Sequence, residues 1–283
     1  MQRIESLDDP RVAAYRNLRE RTLRGENLFI AEALLVVRRL LASQYPVESI
    51  FAADDVAGEL RALAPPGIPI YVATRRLIAQ IAGFPFHRGA MAVGRRRPLP
   101  SLEALLAPLE QEDDLTLIIC PETTQAENLG MVFRTAAAFG VDAVLLGQKS
   151  CDPLCRRGLR VSMGGALTVP FTRSADLAAD IQLLRSRWRF RLLATVLDDT
   201  ARRLPEVAWP DRAGLMIGNE YAGLSETWLA GCDERITIPM AAAADSLNLG
   251  VATGIFVYER MRGRIGHEGR SGRTRRRQPI VDA

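Results

Sequence analysis

The chain has 283 residues, 48% of them apolar and 25% charged, with a formal net charge of +4. That mixture excludes a collagen-like, wholly disordered or disulfide-framework protein, and the length suits one large domain or two of ordinary size. No apolar run reaches the ~18–20 residues of a membrane span, and the opening MQRIESLDDPRV lacks the apolar core of a signal peptide, so a cytoplasmic location is expected.

Along the first part, residues 10–23 carry a basic helical pattern. LFIAEALLVVRRLL passes from a short strand into an amphipathic helix, and VESIFAA reads as a strand. Residues 55–64 suit a helix, PIYVA a strand, TRRLIAQIAG a helix with Thr74 as N-cap, and GAMAVGR a closing strand. These elements predict a small α/β domain over residues 1–97. A connection over 98–114 follows, stiffened by Pro98 and Pro100 and holding one short helix.

The second part opens on the apolar strand LTLIIC (115–120). A helix over about 127–139 comes next, with Leu129, Val132, Phe133, Ala136 and Phe139 on one stripe and Gly140 as its stop. DAVLLG (142–147) is a strand, 153–163 helical, ALTVPF strand-like and ADLAADIQLLRSR a helix. RFRLLATV (189–196), GLMIG (214–218) and RITIPM (235–240) read as buried strands, and SLNLGVATGIFVYERM (246–261) as a helix with Ser246 as candidate N-cap. Strands alternating with helices predict an α/β fold with a mostly parallel sheet covered on both faces. Ligands of such sheets sit at the carboxyl ends of the strands. This second domain spans 115–265, and a basic tail, 266–283, has the low apolar content of a mobile segment.

The small net charge conceals a segregation. Residues 1–97 hold 15 Arg against 10 acids, 98–259 hold 14 basic residues against 21 acids, and 260–283 hold 8 Arg against two acids. The net charges are therefore +5, −7 and +6, so a polyanion would be gripped at the two ends. Lys149 is the only lysine among 37 basic residues; arginine is the better bidentate phosphate ligand, although base composition of a genome produces the same skew. Cys120, Cys151, Cys155 and Cys232 show no zinc-ligand spacing, and His87 and His267 are the only histidines. No metal site and no His-based nucleophile is expected.

Three segments at strand ends carry chemistry-bearing side chains. ENLGMVFRTAAAFG places Gly130 and Arg134 on one helix face, opposite the apolar stripe. GNEYAGLS (218–225) has two glycines that admit a close backbone approach to a ligand, and it also fits an ordinary turn ending at a Ser225 helix cap. IPMAAAADSLNLG (238–250) offers Ser246 and Asn248 at the start of the last helix, where either residue type also serves as a plain cap.

Taken together and in this order, the segments resemble the SpoU/TrmH class of RNA 2′-O-ribose methyltransferases in the SPOUT superfamily. The signature is N-x-G-x-x-x-R-T-A-x-x-F-G, then G-N-E-x-x-G-L-S, then IPM followed by SLN, with Arg160, Ser162, Met163 and Gly164 as an R-x-S-M-G run between. The likeness covers about residues 115–262. The front part, with RIESLDDPRV, FIAEALLVV and GAMAVGR, is more loosely similar to the L30e-like substrate-binding domain that many members carry.

The resemblance implies a C-terminal trefoil knot, which the usual topology rules would reject, and a homodimer. It also implies S-adenosylmethionine as methyl donor and the ribose 2′-hydroxyl of a ribosomal or transfer RNA as acceptor. Gly218, Ile238, Met240, Ser246 and Leu247 stand at its donor-binding positions, with Thr195 a weaker match. Asn128, Arg134, Glu220, Ser246 and Asn248 stand at its catalytic ones: Arg134 at the 2′-hydroxyl, Asn128, Glu220 and Asn248 holding Arg134 and the ribose, and Ser246 capping the last helix. A guanidinium has a pKa above ~12 and is a poor base, so Arg134 is expected to bind a phosphate or ribose and stabilise the developing alkoxide, with the fate of the proton open. Arg75, Arg76, Arg95, Arg96 and Arg97, with tail residues Arg273, Arg275, Arg276 and Arg277, are the expected RNA contacts.

The chain departs from the family pattern at Gln125 and Ala126 (usually Asp-Pro), at Ala222 and Ala242 (usually Gly) and at Gly250 (often Ser). These departures motivate one alternative, a catalytically inactive RNA-binding or ribosome-associated relative. A second, a nucleotide-dependent enzyme on small molecules, would need phosphate loops of the G-x-G-x-x-G or G-x-x-x-x-G-K-[ST] kind, and neither is present.

Overall fold

The structure, a computed structural model, describes residues 1–18, 23–241 and 246–265. Ala242 and the tail, with Arg273, Arg275, Arg276 and Arg277, lie outside the described residues.

Strands β1 (Gln2–Arg3), β2 (Leu28–Glu32), β3 (Val47–Ala53), β4 (Ile70–Ala73) and β5 (Ala90–Arg95) form a first sheet in the order β1-β4-β3-β5-β2. β3 runs parallel to β4, while β5 is antiparallel to both β2 and β3. Helices α1 (Leu34–Leu41), α2 (Ala57–Leu63) and α3 (Arg75–Ala82) accompany it. The Thr74 hydroxyl accepts from the Leu77 amide at 3.3 Å, as the N-cap spacing predicts. The basic segment beginning at residue 10 is shorter than its pattern suggested. Pro10–Tyr15 is a 3₁₀ helix capped by Asp9, Val12 leaves helical geometry, and Arg16 is already extended.

After α4 (Leu102–Leu106) come β6 (Leu115–Cys120), α5 (Ala126–Phe139), β7 (Ala143–Leu146), α6 (Arg156–Val161), β8 (Phe171–Arg173) and α7 (Leu177–Ser186). They are followed by β9 (Arg191–Thr195), β10 (Arg202–Arg203), β11 (Arg212–Met216), α8 (Glu226–Ala230), β12 (Glu234–Thr237) and α9 (Leu249–Ile265). The second sheet has the order β10-β12-β9-β11-β6-β7-β8, and all its pairings are parallel. Two predicted elements change. ALTVPF is mostly a tight helical turn at Gly165–Leu167, and pairing starts only at Phe171, after Pro170, which has no amide to give a ladder. The last helix begins at Leu249, so Ser246 lies outside it and does not cap it. The Asn248 Oδ1 instead accepts from the Gly250 amide at 2.9 Å and the Val251 amide at 3.4 Å.

The two sheets share one apolar cluster. Phe29, Val36, Val37 and Leu40 of the first pack in the same buried group as Leu154, Leu159, Leu167 and Phe171 of the second. Each side chain buried this way contributes about 1.5–3 kcal/mol. A polar seam reinforces the join. Glu32, almost fully buried on β2, accepts from Arg156 Nη1 at 2.8 Å and has Arg160 at 3.7 Å and Arg88 at 4.0 Å. The Arg156 guanidinium also lies 4.3 Å from the centre of the Phe84 ring. Arg96 ties β5 to the second part through both oxygens of Asp152.

Candidate active site

In the order β12-β9-β11-β6 four strands lie side by side and parallel, so their carboxyl-end loops converge. The loop after β11 is held by its own backbone: Asn219 and Gly223 exchange main-chain hydrogen bonds of 2.8 and 3.1 Å. A Cβ on Gly218 would meet the Gly223 carbonyl carbon at 2.6 Å, so the close approach requires glycine. The Asn219 carboxamide pins the loop twice, accepting from the Tyr221 amide at 2.9 Å and donating to the Glu122 carbonyl at 2.8 Å.

This loop points Glu220 at the start of α5. Gln125, the N-cap, makes no side-chain cap of its own. Glu220 serves instead, accepting from the Gln125 amide at 3.0 Å and from the amide and hydroxyl of Thr124, both at 3.2 Å. An anionic oxygen at a helix N-terminus is favoured by the unpaired amides and the helix dipole. Burial would push the Glu220 carboxyl up, but the amides of Gln125, Glu220 itself and Thr124, with the Asn128 side chain, outweigh it and hold the group below the usual carboxylate range.

Asn128, buried one turn into α5, donates to Gln125 Oε1 at 3.2 Å, and its own Oδ1 accepts from Asn248 Nδ2 at 3.0 Å. Gln125 Nε2 continues the chain to the Tyr221 hydroxyl at 2.7 Å. Gln125, Asn128, Asn248 and Glu220 thus form one polar cluster at the heads of α5 and α9. The departure at Gln125 is built into this cluster. Gly250 also has a structural reason, because a Cβ there would meet Met131 Cβ at 2.5 Å, where α9 lies against α5. Tyr221 and Thr124 were not singled out from the sequence, and Gln125 stood out only as a departure from the family pattern; a short polar run just before a helix start was their only other signal.

Arg134 is not part of the cluster. It lies six residues beyond Asn128 on α5, about 9 Å along the axis, exposed to solvent. Among the described residues, no hydrogen bond joins it to Asn128, Glu220 or Asn248. The shared face of Gly130 and Arg134 is likewise not open throughout, since Gly130 is buried with its Cβ position 2.9 Å from the Gly158 carbonyl of α6.

The strand ends suit S-adenosylmethionine. Among the described residues, the amides of Gly218, Ile238, Met240 and Leu247 donate to no other residue, and Gly218 is buried. An orphaned buried amide beside partly buried Ile238, Met240 and Leu247 is what an adenosyl group needs: an apolar slot with a few fixed hydrogen bonds. The Thr195 hydroxyl is engaged elsewhere, donating to the Met216 carbonyl at 3.0 Å. Ser246 is exposed next to Leu247.

The arginines expected to meet RNA differ from one another. Arg96, bidentate on Asp152 and largely buried, is a strut between the two parts rather than a free cation. Arg75 pairs with Asp55 at 2.6 Å and Arg95 with Glu48 at 2.6 Å, while Arg97 donates to the Gln44 side chain at 2.5 Å. Arg76 is exposed and lines a cavity of about 310 Å³ with Arg3, Thr74 and Gln80, remote from the strand-end loops.

Residues 116–258 match the model of the SpoU rRNA Methylase family. An uncharacterised tRNA/rRNA methyltransferase of Mycobacterium bovis is 39% identical over 90% of each chain. A 23S rRNA (guanosine-2′-O-)-methyltransferase of Acinetobacter baylyi is 31% identical over 75% of this chain and 86% of its own. Among solved structures, an AdoMet-bound rRNA methyltransferase from Sinorhizobium meliloti superposes with a TM-score of 0.76 at 25% identity, covering 93% of this chain and 98% of that one.

Proposed function

The chain belongs to the SpoU rRNA Methylase family, and on that footing we propose that it transfers a methyl group from S-adenosylmethionine to the 2′-hydroxyl of a ribose in RNA. The observation that carries this reading is the set of amides at Gly218, Ile238, Met240 and Leu247 that donate to no other described residue, next to the Gln125–Asn128–Asn248–Glu220 cluster. S-adenosylmethionine, when bound, supplies a methyl group already activated on sulfur. The chain's own part is to align the acceptor, worth several kcal/mol and up to about 7–11 in favourable cases, and to stabilise charge on the 2′-oxygen.

Gly218, Ile238, Met240 and Leu247 hold the donor through main chain and apolar contact, with Ser246 beside them. Asn128 and Asn248 fix the heads of α5 and α9, and Glu220 positions both by anchoring the start of α5. Arg134, exposed on the same helix, binds a phosphate or ribose of the acceptor. Residues 1–97 act as the RNA-holding domain and 115–265 as the catalytic one, with Arg76 the most available of Arg75, Arg76, Arg95, Arg96 and Arg97. Ribosomal RNA is the first acceptor to test, given the activity of the Acinetobacter relative.

Two further features of the family extend this reading. α9 leaves Val251, Ile255 and Tyr258 exposed at helical spacing, an apolar stripe that supports a homodimer. β12 lies toward one side of the sheet while α9, which follows it in the chain, packs on α5 after β6, an arrangement that supports a threaded, knotted C-terminus.

The test is incubation with methyl-labelled donor and total RNA, followed by RNase and by mapping of 2′-O-methyl positions. Label that is lost on RNase treatment and maps to a ribose is expected. A protein that binds donor and RNA yet transfers no label is the inactive relative, and label on small molecules overturns the reading.

A further inference from the structure

Arg39 lies in the first part of the chain, on α1, yet its side chain ends on the second. Its Nη1 donates to the Met163 carbonyl at 2.6 Å. Its Cδ lies 3.1 Å from where a Cβ on Gly164 would sit. Gly164 has φ +83 and Met163 φ +54, left-handed positions that turn the 162–165 loop sharply. One residue on, the same loop meets α5: a Cβ on Gly165 would lie 2.7 Å from the Phe133 carbonyl and 3.4 Å from the Arg134 amide. The loop therefore carries the Arg39 guanidinium on one side and abuts the backbone of Arg134 on the other. The two positive charges sense each other. Burial first, and then the Arg134 charge, lower the pKa of Arg39 from its ordinary value.

The acids nearby are already engaged. Arg38 takes Glu59, Arg156, Arg160 and Arg88 share Glu32, Arg157 takes Glu127, and Arg96 takes Asp152. Among the described residues neither Arg39 nor Arg134 has a carboxylate partner, and Nε and Nη2 of Arg39 have no hydrogen bond. Two neighbouring guanidiniums without an acid repel each other, and a phosphodiester is the ligand that turns this repulsion into attraction while matching the planar donor fork.

We propose that Arg39 and Arg134 form a two-arginine clamp for a backbone phosphate of the RNA acceptor. The 163–165 loop sets its spacing, and the front part of the chain supplies one jaw beside Arg134. This rests on the reading of Arg134 as an acceptor-side residue. Arg39 is a substrate-positioning residue: it acts on the placement of the RNA and not on the donor.

The experiment uses the full chain with Arg39→Ala, Arg39→Gln and Arg39→Lys, and Arg38→Ala as control. Affinity for a ribosomal RNA transcript is measured across a salt series, and donor affinity and thermal midpoint in parallel. Arg39→Gln removes the charge and leaves a neutral amide where Nε stood, so it also gives up the Nη1 bond to the Met163 carbonyl. It should weaken RNA binding about tenfold at low salt and reduce the log-log salt slope by roughly 0.7–0.9, the value of one phosphate contact. Arg39→Lys should recover part of the affinity and the full slope, with KM more affected than kcat. Arg38→Ala should match the parent protein, and donor affinity should not change in any variant. An Arg39→Gln protein with parental affinity and slope overturns the clamp, even if Arg39→Ala is weakened, because the guanidinium charge would then have no part in holding RNA. Parental protein that neither binds nor methylates RNA removes the underlying reading instead, a result distinct from loss of the clamp alone.

Discussion

Around Glu220, at the carboxyl ends of the strands, one carboxylate is met by amides of Thr124 and Gln125, and the neighbouring carboxamides bond to one another. Along the outer flank of α5, near the 163–165 loop, Arg39 and Arg134 stand without an acid among the described residues. The first region is satisfied internally and fixes geometry; the second carries charge that the folded chain leaves unanswered. The contrast separates two tasks. On the proposed reading, a pre-formed, satisfied network holds the heads of α5 and α9 in place for a donor, and unanswered cations are left for a polyanion that arrives from outside.

The largest test falls on the unanswered side. Arg134→Ala should lower methyl transfer at least about 100-fold, the scale of losing a charge-stabilising donor, while calorimetric donor affinity stays within about twofold. Near-parental turnover would remove Arg134 from the site and dissolve the contrast. A second test converts an answered cluster into an unanswered one. Glu32→Ala leaves Arg156 and Arg160 without their buried partner and should cost about 2–4 kcal/mol in denaturant unfolding. A change below 0.5 kcal/mol (roughly the scatter of surface substitutions) would show the seam to be incidental.

The third prediction concerns the satisfied side. Gly250→Ser, which restores a residue frequent in the family, should destabilise this chain by about 1–3 kcal/mol, since its Cβ would meet Met131 Cβ. Adding Met131→Ala should return only the share owed to Sδ and Cε, which a Cβ at 250 would meet at 2.8 and 2.7 Å, because alanine keeps the Cβ; no change in melting midpoint for Gly250→Ser would contradict the packing. The smallest effect is on pH. Because Glu220 titrates below the usual carboxylate range, its contribution is present in full above that range and is lost as the pH falls through its folded value. Donor affinity should therefore hold from neutrality down through the usual carboxylate range, to about pH 4, and decline only below it. Glu220→Gln should be weaker at neutrality and flatter in acid; an equally steep acid decline in that variant would assign the titration to another group.

Much of the second sheet was legible because its strands are short apolar runs punctuated by turn residues. LTLIIC coincides with β6, and the stripe Leu129, Val132, Phe133 and Ala136 is the buried face of α5. ALTVPF failed because apolar content does not separate a buried turn from a strand; Gly164 and Pro170 decided it. Ser246 failed as a cap because several polar residues precede α9, and which of them closes the helix depends on where α9 meets α5.

The sequence by itself determined the family, through motif residues spread over a hundred positions, and the segregation of charge. It also determined the alternation of strand and helix that makes a parallel sheet with ligands at its strand ends. The tertiary structure alone decided which polar groups are answered. Glu220 caps a helix nearly a hundred residues away, Arg96 is drawn onto Asp152, and Arg39 crosses to the second part of the chain while its neighbour Arg38 stays on Glu59. Local sequence sets the period of burial, but the pairing of charges depends on distances between residues far apart in the chain, and only the packed fold sets those.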